Sequence, residues 1–110
     1  MVARRMDDPI VRQFLERCGP VRSTIRAMYL FGSRAKGTQR PDSDYDLLLV
    51  VTEEFSLQDK DVLYDGVIDI LLETGRLLSL KILKEREFDR LRDMQTPFMK
   101  HVLTEGIKVG

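Results

Sequence analysis

The chain has little of what small proteins use as covalent or metal staples. A single cysteine, Cys18, and a single histidine, His101, stand among 110 residues. No internal disulfide can form, and a structural zinc site has too few ligands. Excess charge of either sign is also missing, since 18 basic side chains balance 18 acidic ones. That excludes a global field drawing the molecule to nucleic acid or to an anionic membrane. Any polyanion must be gripped locally, and direct nucleic-acid binding is not expected. Apolar runs are short, none exceeding Leu47–Val51, against the roughly 20 residues that a membrane-spanning helix needs. Charge returns at Asp7 and Asp8 before an apolar h-region develops, so the opening residues do not read as a signal peptide. No repeat, linker or low-complexity tract breaks the chain. With 43% hydrophobic and 33% charged residues, a single globular domain over 1–110 in a reducing cytoplasm is the expectation.

What is present is an alternation of helical and extended patterns. Asp7 or Asp8 caps a first helix with Pro9 in its first turn and Ile10, Val11, Phe14 and Leu15 at helical spacing, ended by Cys18-Gly19-Pro20. Ala27 to Phe31 reads as a short buried strand stopped by Gly32-Ser33. Tyr45 to Val51 is the strongest strand, and its continuous apolar run from Leu47 marks it as central and covered on both faces. Thr52 to Asp65 is polar with room for a short helix. Gly66 introduces a further expected strand, Val67 to Leu72. Leu78 to Ile82 alternates like a half-exposed edge strand, with a helix as the alternative. Glu85 to Met94 reads as a helix, and Thr96, Pro97 and Gly106 bound a last one whose Phe98, Met99, Val102 and Leu103 face inward. The fold class is therefore α/β (α+β), a mixed sheet of three to five strands flanked by helices.

The chemistry concentrates in Phe31-Gly32-Ser33-Arg34-Ala35-Lys36-Gly37 and Ser43-Asp44-Tyr45-Asp46-Leu47. A strand that ends at Gly-Ser and turns offers unpaired backbone N–H groups, and glycine allows the backbone to approach a phosphate closely. The Ser33 hydroxyl adds a donor. Asp44 and Asp46, at i and i+2 on a strand, point to one side with Cα atoms about 6–7 Å apart. That spacing suits divalent cations roughly 3.5–4 Å apart that share carboxylate ligands. Asp69 falls mid-strand between Ile68 and Ile70 in this reading, where a buried carboxylate needs a cation or hydrogen bonds. If its strand neighbours that of Asp44 and Asp46, the three acids converge on the metals. Asp65 is the nearest rival for the third place, though its position before Gly66 suits a cap or turn.

Gly32-Ser33, ten intervening residues and Asp44-Tyr45-Asp46 resemble the signature of the DNA polymerase β-like nucleotidyltransferases. The fuller text from Leu30 to Leu47 is similar to the minimal nucleotidyltransferases (MNT proteins). The resemblance implies a small nucleotidyltransferase fold. It assigns Gly32 and Ser33 to the triphosphate, Asp44 and Asp46 to two Mg²⁺ ions, and Asp69 to one metal and to the proton of the attacking hydroxyl. It further implies ATP as substrate, AMP transferred to a side-chain hydroxyl, and a HEPN-domain toxin as partner in a toxin–antitoxin pair.

Plainer readings compete. Asp42, Asp44, Asp46 and Glu53 imitate an EF-hand calcium loop, but Leu47 stands where that loop needs glycine. Arg34 and Lys36 are candidates for phosphate contact, although basic residues near a loop are usually solvated. His101 has no serine or cysteine triad to join, and Cys18 suits a small core-edge position. Met94, Phe98, Met99 and Val102 read as core packing ahead of a partner-binding stripe. As a whole, a non-catalytic antitoxin that neutralises its partner by complex formation, or a transferase acting on a small molecule, are the alternatives to protein nucleotidylation.

Overall fold

A computed structural model describes residues 8–31 and 44–109. Helix α1 (Pro9–Arg17) begins at Asp8, whose carboxylate accepts the Ile10 N–H at 2.8 Å. Proline follows at the first helical position, where its missing N–H costs nothing. A 3₁₀ turn (Gly19–Thr24) leads into β1 (Ile25–Phe31), and β2 (Tyr45–Val51) returns beside it. Helix α2 (Leu57–Thr74) crosses over to β3 (Leu78–Lys84), and then come α3 (Glu85–Met94), α4 (Pro97–Glu105) and the short β4 (Ile107–Lys108). The sheet order is β3-β2-β1-β4; β2 runs antiparallel to β1 and parallel to β3, and β4 is antiparallel to β1. This is the mixed sheet flanked by helices that the sequence pattern predicts.

Alternation along β2 divides the core. Tyr45, Leu47, Leu49 and Val51 point to one face, where Val11 and Phe14 of α1 and Leu63, Val67 and Ile70 of α2 cover them. Leu48 and Val50 point to the other face and meet Phe88 of α3 and Met99 and Val102 of α4. Asp46 is the one residue of β2 that is not fully buried. A strand covered on both faces reads as a continuous apolar run, and Leu47–Val51 does.

Two expectations need correction. Val67–Leu72 is not a strand but the C-terminal half of α2, and Gly66 lies inside that helix. Ser56 and Asp59 form a capping box at its start, and Gly75 closes it in the left-handed conformation at φ 75°. The apolar run misled because α2 is apolar on two sides. Leu63, Val67 and Ile70 face the sheet, while Leu57, Tyr64, Ile68, Leu71 and Leu72 form an exposed stripe. Gly66 is where α2 crosses α1, and a Cβ there would sit 3.3 Å from that of Arg17. In α4, Met99 and Val102 are buried as expected, but Leu103 is exposed, as is Met94 at the end of α3. Neither is core.

Candidate active site

The acid pair sits where β2 begins. Phe31, the last residue of β1, is paired with Asp46, and Leu30 with Leu47. Asp44 precedes the strand and is exposed, while Asp46 is half-buried on the face it shares with Leu48 and Val50. Tyr45, between them, points the opposite way and donates its phenol proton to Asp8 Oδ2 at 2.8 Å. The period of two thus sends Asp46 to one side and anchors the ring of Tyr45 on the other, and Asp44, just before the strand, is near enough for its charge to act on Asp46. Burial raises the Asp46 pKa above its ordinary value, and the negative charge of Asp44 raises it further. A half-buried carboxylate with an exposed one of like charge beside it is a site that a cation would relieve.

Aromatic rings wall this face. Phe98, at the start of α4, meets Phe31 in a T-shaped contact with centroids 5.5 Å apart and planes at 90°. The Lys81 ammonium lies 5.4 Å from the centroid of the same Phe98 ring. Parallel pairing sets Ser79 beside Asp46 and Lys81 beside Leu48. The strand next to the acid pair therefore presents a hydroxyl and an ammonium to the acid face.

Asp69 does not join Asp44 and Asp46. It lies on α2, on the opposite face of the sheet, where its Oδ2 accepts from Arg17 Nη1 at 3.1 Å. Arg17 Nη2 reaches Glu73 at 2.9 Å. Read at 3.6 residues per turn, Asp65, Asp69 and Glu73 follow one another along one side of α2, and the last two flank Arg17 of α1. Asp69 is therefore a solvated ion-pair partner, and the expectation that it is third metal ligand and base is corrected. Asp65 is exposed on the same helix and does not replace it. Among the described residues no three His, Cys, Asp or Glu side chains gather as a metal-ligand set. Asp44 and Asp46 are the described carboxylates on this face that could hold a divalent cation. Gly32, Ser33, Arg34 and Lys36 lie outside the described residues. The sequence signals missed were the Ser56–Asp59 capping box and the i, i+4 spacing of the α2 acids. Lys81, also missed, carried no local signal.

With this geometry in place, the relatives are informative. The family model for polymerase beta nucleotidyltransferases matches residues 16–109, and the chain belongs to that family. No curated protein matches the chain. Among solved structures, the fold is similar to that of a protein assigned as a nucleotidyltransferase from Sulfolobus solfataricus, with 20% identity, 90% of this chain and 75% of that one covered, and a TM-score of 0.57. It is also similar to a toxin–antitoxin structure with AMP-PNP, at 18% identity, 94% and 72% coverage and a TM-score of 0.55. A mutant of the toxin–antitoxin MntA-HpeT follows at 13% identity, 88% and 69% coverage and a TM-score of 0.53. At such identities the likeness is one of fold. Among the described residues no helix is long and apolar enough to cross a membrane.

Proposed function

We propose that the chain binds Mg²⁺ and a nucleoside triphosphate, ATP, and transfers AMP to a hydroxyl of a partner protein, a HEPN-domain toxin that it disarms in the cytoplasm. The observation that carries this reading is the Asp44/Asp46 pair, held at the mouth of the sheet directly across from the end of β1. Family membership supports nucleotidyl transfer, and the similarity to toxin–antitoxin structures, one with AMP-PNP, supports the nucleotide and the partner. Gly32 and Ser33 would hold the triphosphate, with Arg34 and Lys36 beside them, and Asp44 and Asp46 would hold the cation. A bound cation would supply positive charge to the α-phosphate. In the transfer the acceptor oxygen bonds to the α-phosphorus, the α–β bridging bond breaks and pyrophosphate leaves in line. No described carboxylate stands beside the pair to take the acceptor's proton, which passes to water or to a group of the partner. The exposed apolar stripe Leu57, Tyr64, Ile68 and Leu72 on α2 supports a protein as the other participant.

A second reading, an antitoxin that masks its partner without transfer, is favoured by the absence of Asp69 from the acid face. Incubation of the chain with labelled ATP, Mg²⁺ and a HEPN-domain candidate separates the two. Transfer predicts a mass gain of one nucleotide on the candidate. A stable complex with no mass gain supports masking, and neither outcome with any candidate defeats both.

A further inference from the structure

On the face of the acid pair β3 presents a hydroxyl and an ammonium and no carboxylate: Ser79 lies directly beside Asp46, and Lys81 follows one pleat further along. Registers on both sides of β2 fix this: Phe31 and Ser79 flank Asp46, and Tyr29 and Lys81 flank Leu48. Side chains of paired residues project to the same face, so Lys81 shares the face of Asp46 one pleat further along. Its ammonium rests on Phe98, and Phe98 rests on Phe31, so the two rings bridge β2 from Lys81 to the neighbour of Asp46. Lys81 is exposed, and no described carboxylate pairs with it. A cation–π contact uses the ring face and leaves ammonium N–H donors directed away from it. These donors are what a phosphate oxygen requires.

We infer that the site takes one divalent cation rather than two, and that Lys81 supplies the second positive charge by contacting the polyphosphate directly. Among the described residues a second ion on this face finds no further carboxylate, and it would meet the Lys81 ammonium, which is of like charge. The ammonium provides comparable charge with no ligand set of its own. The inference rests on the reading of Asp44 and Asp46 as a nucleotide site, and extends it to a residue that the family resemblance does not assign.

Mn²⁺ bound per chain, counted by electron paramagnetic resonance in the presence of a saturating non-hydrolysable ATP analogue, tests it without reference to turnover. The expected counts are one ion for the unmodified chain and two for Lys81→Asp, which puts a carboxylate in place of the ammonium on that face of β3. Analogue affinity should fall about tenfold in Lys81→Met, or about 1.4 kcal/mol, and recover in Lys81→Arg. Thermal melts of each variant check that the exposed substitution leaves the fold intact. Two ions in the unmodified chain, with analogue affinity unchanged in Lys81→Met, would overturn the inference and leave the nucleotide site standing. Failure of the unmodified chain to bind analogue at any Mn²⁺ concentration would overturn the nucleotide reading itself.

Discussion

The Tyr45 phenol and the Asp8 carboxylate are joined by a 2.8 Å hydrogen bond, and this bond ties the first residue of β2 to the cap of α1. Asp8 uses its other oxygen on the Ile10 N–H at 2.8 Å, so one side chain starts a helix and pins a strand. Tyr45 is buried, and its neighbours on either side are the two candidate metal ligands. Tyr45→Phe should cost about 1.5–3 kcal/mol, the worth of a hydrogen bond to a charged group. Asp8→Ala should cost more, because the helix cap goes with it. Urea unfolding of both variants measures the difference; equal and negligible losses would mean that the bond does not hold β2 in place.

Asp46 and Asp69 should behave oppositely on substitution. The folded pKa of Asp46 is raised, chiefly by burial and then by Asp44, so the folded state holds its proton more tightly than the unfolded one. The contribution to stability is therefore greatest in acid and falls as pH rises from about the ordinary value of 3.8 through the raised folded value. Asp46→Asn should remove that loss and abolish Mn²⁺ binding. Asp69→Asn should leave Mn²⁺ binding intact and cost at most about 1 kcal/mol, since its ion pair with Arg17 is half-exposed. Metal titrations beside melts across pH decide; loss of Mn²⁺ binding in Asp69→Asn would return that residue to the site.

Cys18 should be inert while the chain is folded. It is fully buried at the end of α1, and burial raises its thiol pKa to about 11, against a smaller lowering by Arg22. Thiolate is the reacting species, so alkylation by iodoacetamide at pH 8 should be slow in the native protein and fast in denaturant. Because the folded pKa lies above the unfolded one, the neutral thiol contributes stability that is lost as pH rises from 9.0 towards about 11. Equal alkylation rates in both states would contradict this burial.

Gly66→Leu should separate α1 from α2. Even a Cβ would press on Arg17, and a larger side chain has nowhere to go between the helices. A loss of about 1–3 kcal/mol is expected for such overpacking, despite the gain in helix propensity. Gly66→Ala, which adds only the Cβ, should lose less than Gly66→Leu or nothing. Thermal denaturation of the pair gives the comparison, and an equal tolerance of both would show that the crossing is loose.

The sequence by itself determined most of the local structure. Asp8-Pro9 and Thr96-Pro97 start their helices because capping oxygens and proline geometry act within a few residues. Asp46 lies on the face opposite Tyr45 because a strand alternates, and Leu47–Val51 is central because only a doubly covered strand can be apolar throughout. Val67–Leu72 was open to two readings: its apolar density fits a buried strand, and only the capping box at Ser56, the left-handed Gly75 and the acids four residues apart disclose a helix. Which strand lies beside the acid pair was decided by tertiary structure. The parallel pairing of β2 with β3 joins Asp46 to Ser79 and Leu48 to Lys81 across an intervening helix, and no spacing rule within the chain encodes that register. The same packing carried Asp69 to the far face, because α2 buries Leu63, Val67 and Ile70 against the sheet and turns its acids towards Arg17.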